Sequence, residues 1–340
     1  MKVAEIGEFG LIGRLEKMAQ HAEDKHTEAW KQLIIGIGDD AAAYFANNEI
    51  QLTTVDSMVQ DVHFSLDYMS WRELGWKSLA VNLSDIAAMG GFPRYALISL
   101  GLPGSTEAED IVELYRGMFD IAGKFGTMVV GGDTVSAQMV FISVTLIGSA
   151  GDKKRGMLRR STAKAGDQIA VTNYLGGSSA GLEMLKRGLK FKPKFMKELR
   201  TAHLTPIPRV AEGQLLVDKG VKCGMDISDG LIGDLTHICQ ESKVGARINI
   251  DLVPVSLGVK ECFGDKSLEL ALTGGEDYEL LFTASTAVMN KVKKVIHCPV
   301  TVIGEIIEEK AGKVSLVDGD GRLINSKRTG WDHFKVVSTF

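Results

Sequence analysis

Acidic residues recur beside glycines and short apolar segments along the whole length of the chain. They are Asp39, Asp40, Asp56, Asp85, Asp133, Asp226, Asp229, Glu276 and Asp277. Each one alone also suits an ordinary loop, because Asp next to Gly is a common turn composition. As a set, at the predicted ends of apolar strands, they offer the oxygen ligands that hard cations such as Mg²⁺ require. Without cations, acids gathered in one cleft would repel one another, so the pattern predicts a multi-metal site that holds a polyphosphate.

Other phosphate-binding and nucleophilic motifs are absent or weak. The chain has no G-x-x-x-x-G-K-[ST] loop and no H-R-D or D-F-G signature. Residues 7–13 are rich in glycine but have the wrong spacing for a dinucleotide fingerprint. Residues 177–181 match the G-x-S-x-G pattern of serine hydrolases. Such a short match is common by chance, and we interpret it as the glycine-rich start of a helix.

Composition and charge narrow the class of protein. The chain has 340 residues, 45% of them hydrophobic and 24% charged, which predicts a globular protein with two domains. The net charge of −4 is spread along the chain, and no basic stripe predicts binding to nucleic acid. No apolar run is long enough to cross a membrane, and the start of the chain does not resemble a secretory signal. The four cysteines form no C-x-x-C pair, so we expect free thiols and a cytoplasmic location.

Strand and helix patterns alternate in the first part of the chain. Short apolar or β-branched segments predict strands at residues 51–55, 96–100, 128–130 and 140–147. Helical patterns cover residues 71–89 and 107–125, and Ser105 and Thr106 are candidate caps of the second helix. This alternation predicts an α/β domain over residues 1–150.

The second part repeats the alternation after a segment rich in Gly, Lys and Arg at residues 148–160. We place the domain boundary there, so that residues 151–340 form a second α/β domain. Strands are predicted at residues 168–172, 247–250 and 280–283. Helices are predicted at residues 179–187 and 231–241.

The acidic motifs resemble those of one family of kinases. Residues 36–41 (GIGDDA), 81–90 (VNLSDIAAMG), 131–134 (GGDT), 226–231 (DISDGL) and 273–280 (TGGEDYEL) occur in this order in thiamine-monophosphate kinases. The resemblance runs from residue 7 to residue 334. It implies a PurM-like architecture, in which an N-terminal α/β domain dimerises through its sheet and a C-terminal α/β domain closes over a nucleotide cleft.

The same resemblance implies a reaction. The γ-phosphoryl group of ATP would pass directly, without a phosphoenzyme, to thiamine monophosphate, giving thiamine diphosphate and ADP, the last step of thiamine diphosphate synthesis. Several Mg²⁺ ions and a homodimer are implied as well. Two alternatives remain open at this point. One is another ATP-using member of the PurM-like superfamily, and the other is a non-catalytic regulator that binds a nucleotide or a metal.

Individual roles follow from the resemblance, position by position. The implied metal ligands are Asp39, Thr54, Asp56, Asp85, Asp226 and Asp229. The implied nucleotide contacts are Gly132, Asp133, Arg160 and Ser228, and the implied substrate contacts are His63, Glu276 and Trp331. Asp226, Asp229 and Arg160 would stabilise the transferring group. Plainer interpretations exist for His63 as an ordinary hydrogen-bonded histidine, for Trp331 as a packing residue and for Arg160 as a cap of the linker.

Two positions depart from the family pattern. Val55 stands where a hydroxyl residue is frequent, so any ligand there must be the backbone carbonyl. Asp61 stands where glycine is common, two residues before His63. The added charge and the lost flexibility bear on the details of substrate contact.

Overall fold

The computed structural model describes residues 31–36, 39–46, 48–152 and 154–324. Within these residues the chain forms two mixed β-sheets with packed helices, one sheet from each half of the sequence. This confirms the predicted α/β class. Trp331 lies outside the described residues.

The first sheet has six strands. They are β1 (Leu33–Ile35), β2 (Ala42–Ala46), β3 (Glu49–Val59), β4 (Phe92–Leu102), β5 (Met128–Ser136) and β6 (Phe141–Asp152). Their order is β1-β2-β3-β6-β4-β5, and β4 and β5 form the one parallel pair among them. The described residues of this half include helices α1 (Trp71–Ala88) and α2 (Ala108–Phe125), and α1 packs on β3 and β6. Within the described residues the other face of the sheet, called the open face below, carries exposed side chains such as Val55, Tyr95 and Leu97.

Helix α1 is buried on almost every side. It begins with a capping box, in which Ser70 accepts from the Glu73 N–H and the Glu73 side chain accepts from the Ser70 N–H. It contacts the first sheet, helix α2 and elements of the second half. A helix enclosed in this way is expected to be apolar all round, yet its buried residues include Lys77, Asn82 and Ser84. Polar groups at these positions need partners, and the partners lie in the site described below.

The second sheet has seven strands. They are β7 (Gln168–Thr172), β8 (Cys223–Asp226), β9 (Gly245–Asn249), β10 (Leu280–Ala284), β11 (Val300–Ile307), β12 (Val314–Val317) and β13 (Leu323–Ile324). Their order is β13-β12-β9-β11-β7-β10-β8, with β12 and β9 parallel and the other pairs antiparallel. The helices of this half are α3 (Gly177–Arg187), α4 (Pro193–Leu204), α5 (Val210–Asp218), α6 (Leu231–Glu241), α7 (Leu257–Phe263), α8 (Ser267–Thr273) and α9 (Thr286–Lys293).

The structure confirms the predicted strands and helices and corrects two details. Asp56 and Asp133 lie inside strands β3 and β5, and Asp85 lies in helix α1, so these three acids are not at strand ends. Helix α2 begins after Glu107, which makes no side-chain cap, so the prediction that Ser105 or Thr106 caps it was wrong. Strand β6 continues to Asp152, and the boundary between residues 150 and 151 stays a prediction.

No helix in the described ranges is long and apolar enough to cross a membrane. All four cysteines are described, and none forms a disulfide.

The contact between α1 and α2 depends on glycine. A Cβ atom at Gly117 of α2 would lie 1.9 Å from the Arg72 carbonyl oxygen of α1, and one at Gly75 would lie 1.8 Å from the Leu114 carbonyl oxygen. These distances are far below any real contact, so the two helices approach backbone to backbone.

We therefore expect Gly117→Ala to lower the free energy of unfolding by roughly 2–4 kcal/mol, because the added methyl group forces α1 and α2 apart. Gly123→Ala in the same helix is the matched control, since nothing lies within 4 Å of its Cβ position. That change should be neutral or stabilising by up to about 1 kcal/mol. Urea unfolding of both variants measures the difference, and equal effects would contradict the close approach.

Candidate active site

Three carboxylates from distant parts of the chain meet where the two halves join. Asp40 precedes β2, Asp85 lies near the end of α1, and Asp226 ends β8. One oxygen from each lies within 4.8 Å of the other two, and Asp40 and Asp226 are buried. Burial, followed by the charges of neighbouring aspartates, raises the pKa of Asp85 and of Asp226 well above the usual value. Oxygen donors in such a cluster fit a hard divalent cation, which would offset this repulsion.

Hydroxyl groups hold two of the three carboxylates in place. Thr54 Oγ1 of β3 donates to Asp85 Oδ2 at 2.5 Å, and Ser84 Oγ of α1 donates to Asp226 Oδ2 at 2.5 Å. The second bond joins the first half of the chain to the second. Both donors stabilise the ionised carboxylates and fix their orientation.

Arg160 partly neutralises the acidic cluster. Its guanidinium donates to Asp40 from Nη2 to Oδ1 at 2.6 Å and from Nε to Oδ2 at 3.2 Å. Its backbone N–H donates to Asp39 Oδ2 at 3.3 Å, and Nε lies 3.7 Å from Asp39 Oδ1. Burial lowers the pKa of Arg160, but the charges of Asp40 and Asp39 raise it by more. The net shift is upward, so the guanidinium stays charged. Burial and Asp40 raise the pKa of Asp39 to about 7.

Asp56 and Asp229 border the same junction. The Asp56 N–H donates to Asn82 Oδ1 of α1 at 3.1 Å, and the Asp56 charge contributes to the raised pKa of Asp85. Asp229 lies three residues after Asp226 in the loop that leads into α6. The N–H groups of Asp229 and Gly230 donate to Asp234 Oδ2 at 3.2 and 3.0 Å, so Asp234 fixes this loop.

Glu276 forms a second part of the junction. Its Oε1 lies 2.9 Å from Lys77 Nζ of α1, and its Oε2 lies 3.5 Å from His203 Nδ1 of α4. Its N–H donates to the Ser228 carbonyl at 2.7 Å. Burial raises the pKa of Glu276, but Lys77, His203 and then His63 lower it, and the net shift is downward. His63 itself accepts from the Val59 N–H at Nδ1, at 3.0 Å.

Gly132 and Asp133 lie away from the acidic cluster. They are exposed on edge strand β5, where Gly132 pairs with Ile98 and Asp133 pairs with Ser99 of β4. Because side chains alternate along a strand, Asp133 points to the open face of the sheet. Thr54 points to the opposite face, which α1 covers. A Cβ atom at Gly132 would lie 1.8 Å from the Ile98 carbonyl oxygen, so glycine is required there. Their nucleotide contacts stay a prediction.

The two departures from the family pattern have a clear geometry. Asp61 has φ of 62°, a left-handed conformation that glycine adopts without strain. The Val55 side chain is exposed on the open face, while Thr54 next to it points to Asp85.

Sequence analysis missed several residues of the junction. It did not assign Asp40 to the metal ligands, although the DD pair was visible, and Asp39 is not one of the three clustered acids. Lys77, His203 and Asp234 carried no motif and were not singled out. The G-x-S-x-G match is the start of α3, as predicted, and Ser179 Oγ donates to the backbone carbonyls of Gly176 and Leu270.

Comparison with known proteins extends over nearly the whole chain. Residues 38–150 match the family model of the AIR synthase related protein N-terminal domain, and residues 164–317 match that of the C-terminal domain. A thiamine-monophosphate kinase of Bacillus subtilis is 38% identical over 337 residues, covering 97% of this chain and 100% of the relative. The corresponding enzyme of Escherichia coli K12 is 36% identical, with coverage of 96% and 98%.

A solved structure described as "AaThiL complexed with AMPPCP and TMP" superposes with a TM-score of 0.84 at 33% identity. The superposition covers 98% of this chain and 99% of that one. These matches confirm the PurM-like architecture and the resemblance drawn from the motifs. The chain belongs to the thiamine-monophosphate kinase family, within the AIR synthase related proteins.

Proposed function

We propose that this protein transfers the γ-phosphoryl group of ATP to the phosphate of thiamine monophosphate, which yields thiamine diphosphate and ADP. The names of its relatives support this reaction, and the similar structure was solved with AMPPCP and TMP. The observation that carries the proposal is the convergence of Asp40, Asp85 and Asp226 within 4.8 Å at the junction of the two halves. A cluster of this kind suits the binding of a polyphosphate together with divalent cations.

Mg²⁺ is the cation that best fits the donors. Asp40, Asp85 and Asp226 would hold it, and Asp39, Thr54, Asp56 and Asp229 border the same space. When bound, the ions would neutralise the charge of the phosphate oxygens and would hold the phosphate groups of ATP and of the acceptor substrate in a fixed arrangement. The clustered carboxylates themselves supply the hard oxygen ligands, and Thr54 and Ser84 keep two of them oriented.

The chain's own residues address the main barrier, which is the repulsion between two anions. The acceptor is a phosphate monoester that is largely ionised at neutral pH, so a strong general base is unnecessary. Arg160 contacts Asp40 in the structure. Once Mg²⁺ neutralises the acids, its guanidinium would be able to bind phosphate oxygens instead. Ser228, Gly132 and Asp133 are the proposed further contacts of the nucleotide. His63, Glu276 and Trp331 are those of the thiamine moiety.

We further propose that the protein is a homodimer formed through the open face of the first sheet. Val55, Tyr95 and Leu97 are 59%, 48% and 41% exposed on this face. Met128, Val130 and Val135 of edge strand β5 are exposed as well. Several exposed apolar side chains on one face of a sheet favour association with another protein surface, and a second copy offers the same set.

The reaction is tested by mixing the purified protein with ATP, Mg²⁺ and thiamine monophosphate and by following the products by chromatography. We expect thiamine diphosphate and ADP in equal amounts. ADP formed only with a different acceptor would indicate another superfamily activity. Tight binding of nucleotide without turnover would indicate a regulator, and either result would refute the proposal.

Asp226→Asn should lower turnover by at least about 100-fold, because the variant loses a principal charge at the cluster while keeping its shape. Asp229→Asn should act in the same direction. The rise in unfolding temperature on adding Mg²⁺ should also shrink in the Asp226 variant. Asp120→Asn, which alters an exposed ion pair with Arg72, is the control and should change neither quantity. Near-normal turnover would remove Asp226 from the catalytic role.

Leu97→Glu should raise the dissociation constant of the dimer by at least about 100-fold, since each interface would then bury two unpaired charges. Light scattering coupled to size exclusion measures the mass across a dilution series. Val112→Glu on α2 is the control, because Val112 is similarly exposed, at 50%, but lies on a helix away from the open face. A wild-type monomer, or a Leu97 variant that still dimerises, would contradict this interface.

A further inference from the structure

Lys77 is a buried cation of helix α1 that plays no part in the reaction described so far. The Lys77 side chain has no exposed surface, and its Nζ lies 2.9 Å from Glu276 Oε1. In the described part of the chain, Nζ has no well-aligned hydrogen-bond partner. Burying an ammonium group is costly, and an apolar residue of similar size would pack as well. Lys77 therefore needs an explanation in terms of the carboxylate it contacts.

His203 approaches the same carboxylate from the other half of the chain. Its ring is buried, and Nδ1 lies 3.0 Å from Ser178 Oγ and 3.5 Å from Glu276 Oε2. Burial, and then the charge of Lys77, lowers the pKa of His203 to about 3, so the ring is neutral at pH 7.

The position of the ring proton follows from the partners. Among the described residues Nε2 has no hydrogen-bond partner. A proton on Nε2 would bury an unsatisfied donor, whereas a proton on Nδ1 can be donated towards Ser178 and Glu276. The second tautomer is favoured, and His203 is then a donor that faces Glu276.

The backbone of Glu276 is held as firmly as its side chain. Its φ of 65° is left-handed, which a residue with a side chain adopts only where its surroundings impose it. The preceding Gly275 lies so close to the Ser228 carbonyl that a Cβ atom would be 2.4 Å from the oxygen. The Glu276 N–H donates to that carbonyl at 2.7 Å. Glu276 is thus tied to the loop proposed to contact the nucleotide.

One side of the Glu276 carboxylate remains open, since the side chain is 30% exposed. Lys77 contacts one oxygen and His203 lies near the other, so the exposed lone pairs are oriented by groups from both halves of the chain. Because the charge of Lys77 offsets that of Glu276, the pair presents hydrogen-bond acceptors with little net charge.

We propose that Lys77 and His203 are positioning residues, which hold Glu276 as an oriented carboxylate that accepts a hydrogen bond from the acceptor substrate. This inference rests on the proposed function. A neutral N–H donor suits such a pair better than a cation does, and the amino group on the pyrimidine ring of thiamine monophosphate is such a donor. Neither residue touches the substrate, so each acts through Glu276.

A double-mutant cycle tests the inference. Lys77→Met keeps the length of the side chain and removes its charge. We expect it to raise the KM for thiamine monophosphate by roughly 10- to 100-fold, the effect of losing one partner of a buried charged contact. The KM for ATP should stay within about twofold. Lys77→Met combined with Glu276→Gln should be no worse than Glu276→Gln alone, because Lys77 acts only through that carboxylate.

The control is Lys313→Met, which removes an exposed Lys–Glu pair with Glu309 and should leave both KM values unchanged. The inference would be overturned if the double variant raised the KM for thiamine monophosphate by the product of the two single effects. It would also be overturned if Lys77→Met raised the KM for ATP as much as the KM for thiamine monophosphate. Should Lys77→Met fail to fold, His203→Phe, which keeps a ring and removes Nδ1, replaces it in the same cycle with the same expected outcomes.

A structural measurement separates this inference from the proposed function. Crystal structures of the wild type and of Lys77→Met, both without ligand, should show the Glu276 carboxylate displaced in the variant. An unmoved carboxylate overturns the positioning role whatever the substrate is. Wild-type protein that does not phosphorylate thiamine monophosphate, together with a displaced carboxylate, refutes the proposed function and leaves the positioning role standing.

Discussion

The structure depends on the enforced proximity of like charges. Asp40, Asp85 and Asp226 come from a segment before a strand, a helix and a strand end, and no local preference brings them together. Their repulsion opposes folding, so the packing around them must compensate for it. The surroundings do this with Arg160, with two hydroxyl donors and with a helix enclosed by both halves of the chain. A cation that binds the native form would then be linked to its stability.

Arg160 connects this electrostatic problem to the chemistry. In the structure its guanidinium is engaged by Asp40 and lies beside Asp39. Its own carbonyl accepts from Ser242 Oγ at 2.7 Å, so the residue is anchored between the two halves at its backbone while its side chain can change partners. Cations that neutralised the aspartates would release the guanidinium towards phosphate oxygens. Under the proposed function, Arg160 would thereby serve first as a counterion of the aspartates and then as a contact of the phosphate groups.

Much of the fold followed from local patterns, whereas the composition of the site did so only in part. The strands β7 and β10 and the helix α6 were predicted closely, because their apolar runs are bounded by turn residues. Asp85 was placed among the acids at strand ends, although it also falls in the helical pattern predicted over residues 71–89, and the structure confirms the helix.

Local sequence does not show which residues join the site, even where a motif such as the Asp39–Asp40 pair is visible. Asp39 and Asp40 are adjacent, and which of them faces Asp226 depends on the contact with Arg160, 120 positions further along the chain. Lys77 and His203 look like ordinary charged and polar residues of surface helices, and only tertiary packing buries them. Asp61 differs from these residues, because the family pattern identified the position from the sequence alone. Its left-handed backbone explains why glycine is common there.

Helix α1 carries both ends of the proposed acceptor site on one rigid element. Lys77, which contacts Glu276, and Asp85, which belongs to the acidic cluster, are eight residues apart, a separation of roughly 12 Å along the axis at 1.5 Å per residue. Because backbone hydrogen bonds fix the rise per residue and the helix is buried on almost every side, this span should change little. The helix therefore sets the length of substrate that fits the site. A phosphate ester too short to reach from the acidic cluster to Glu276 would contact only one of the two.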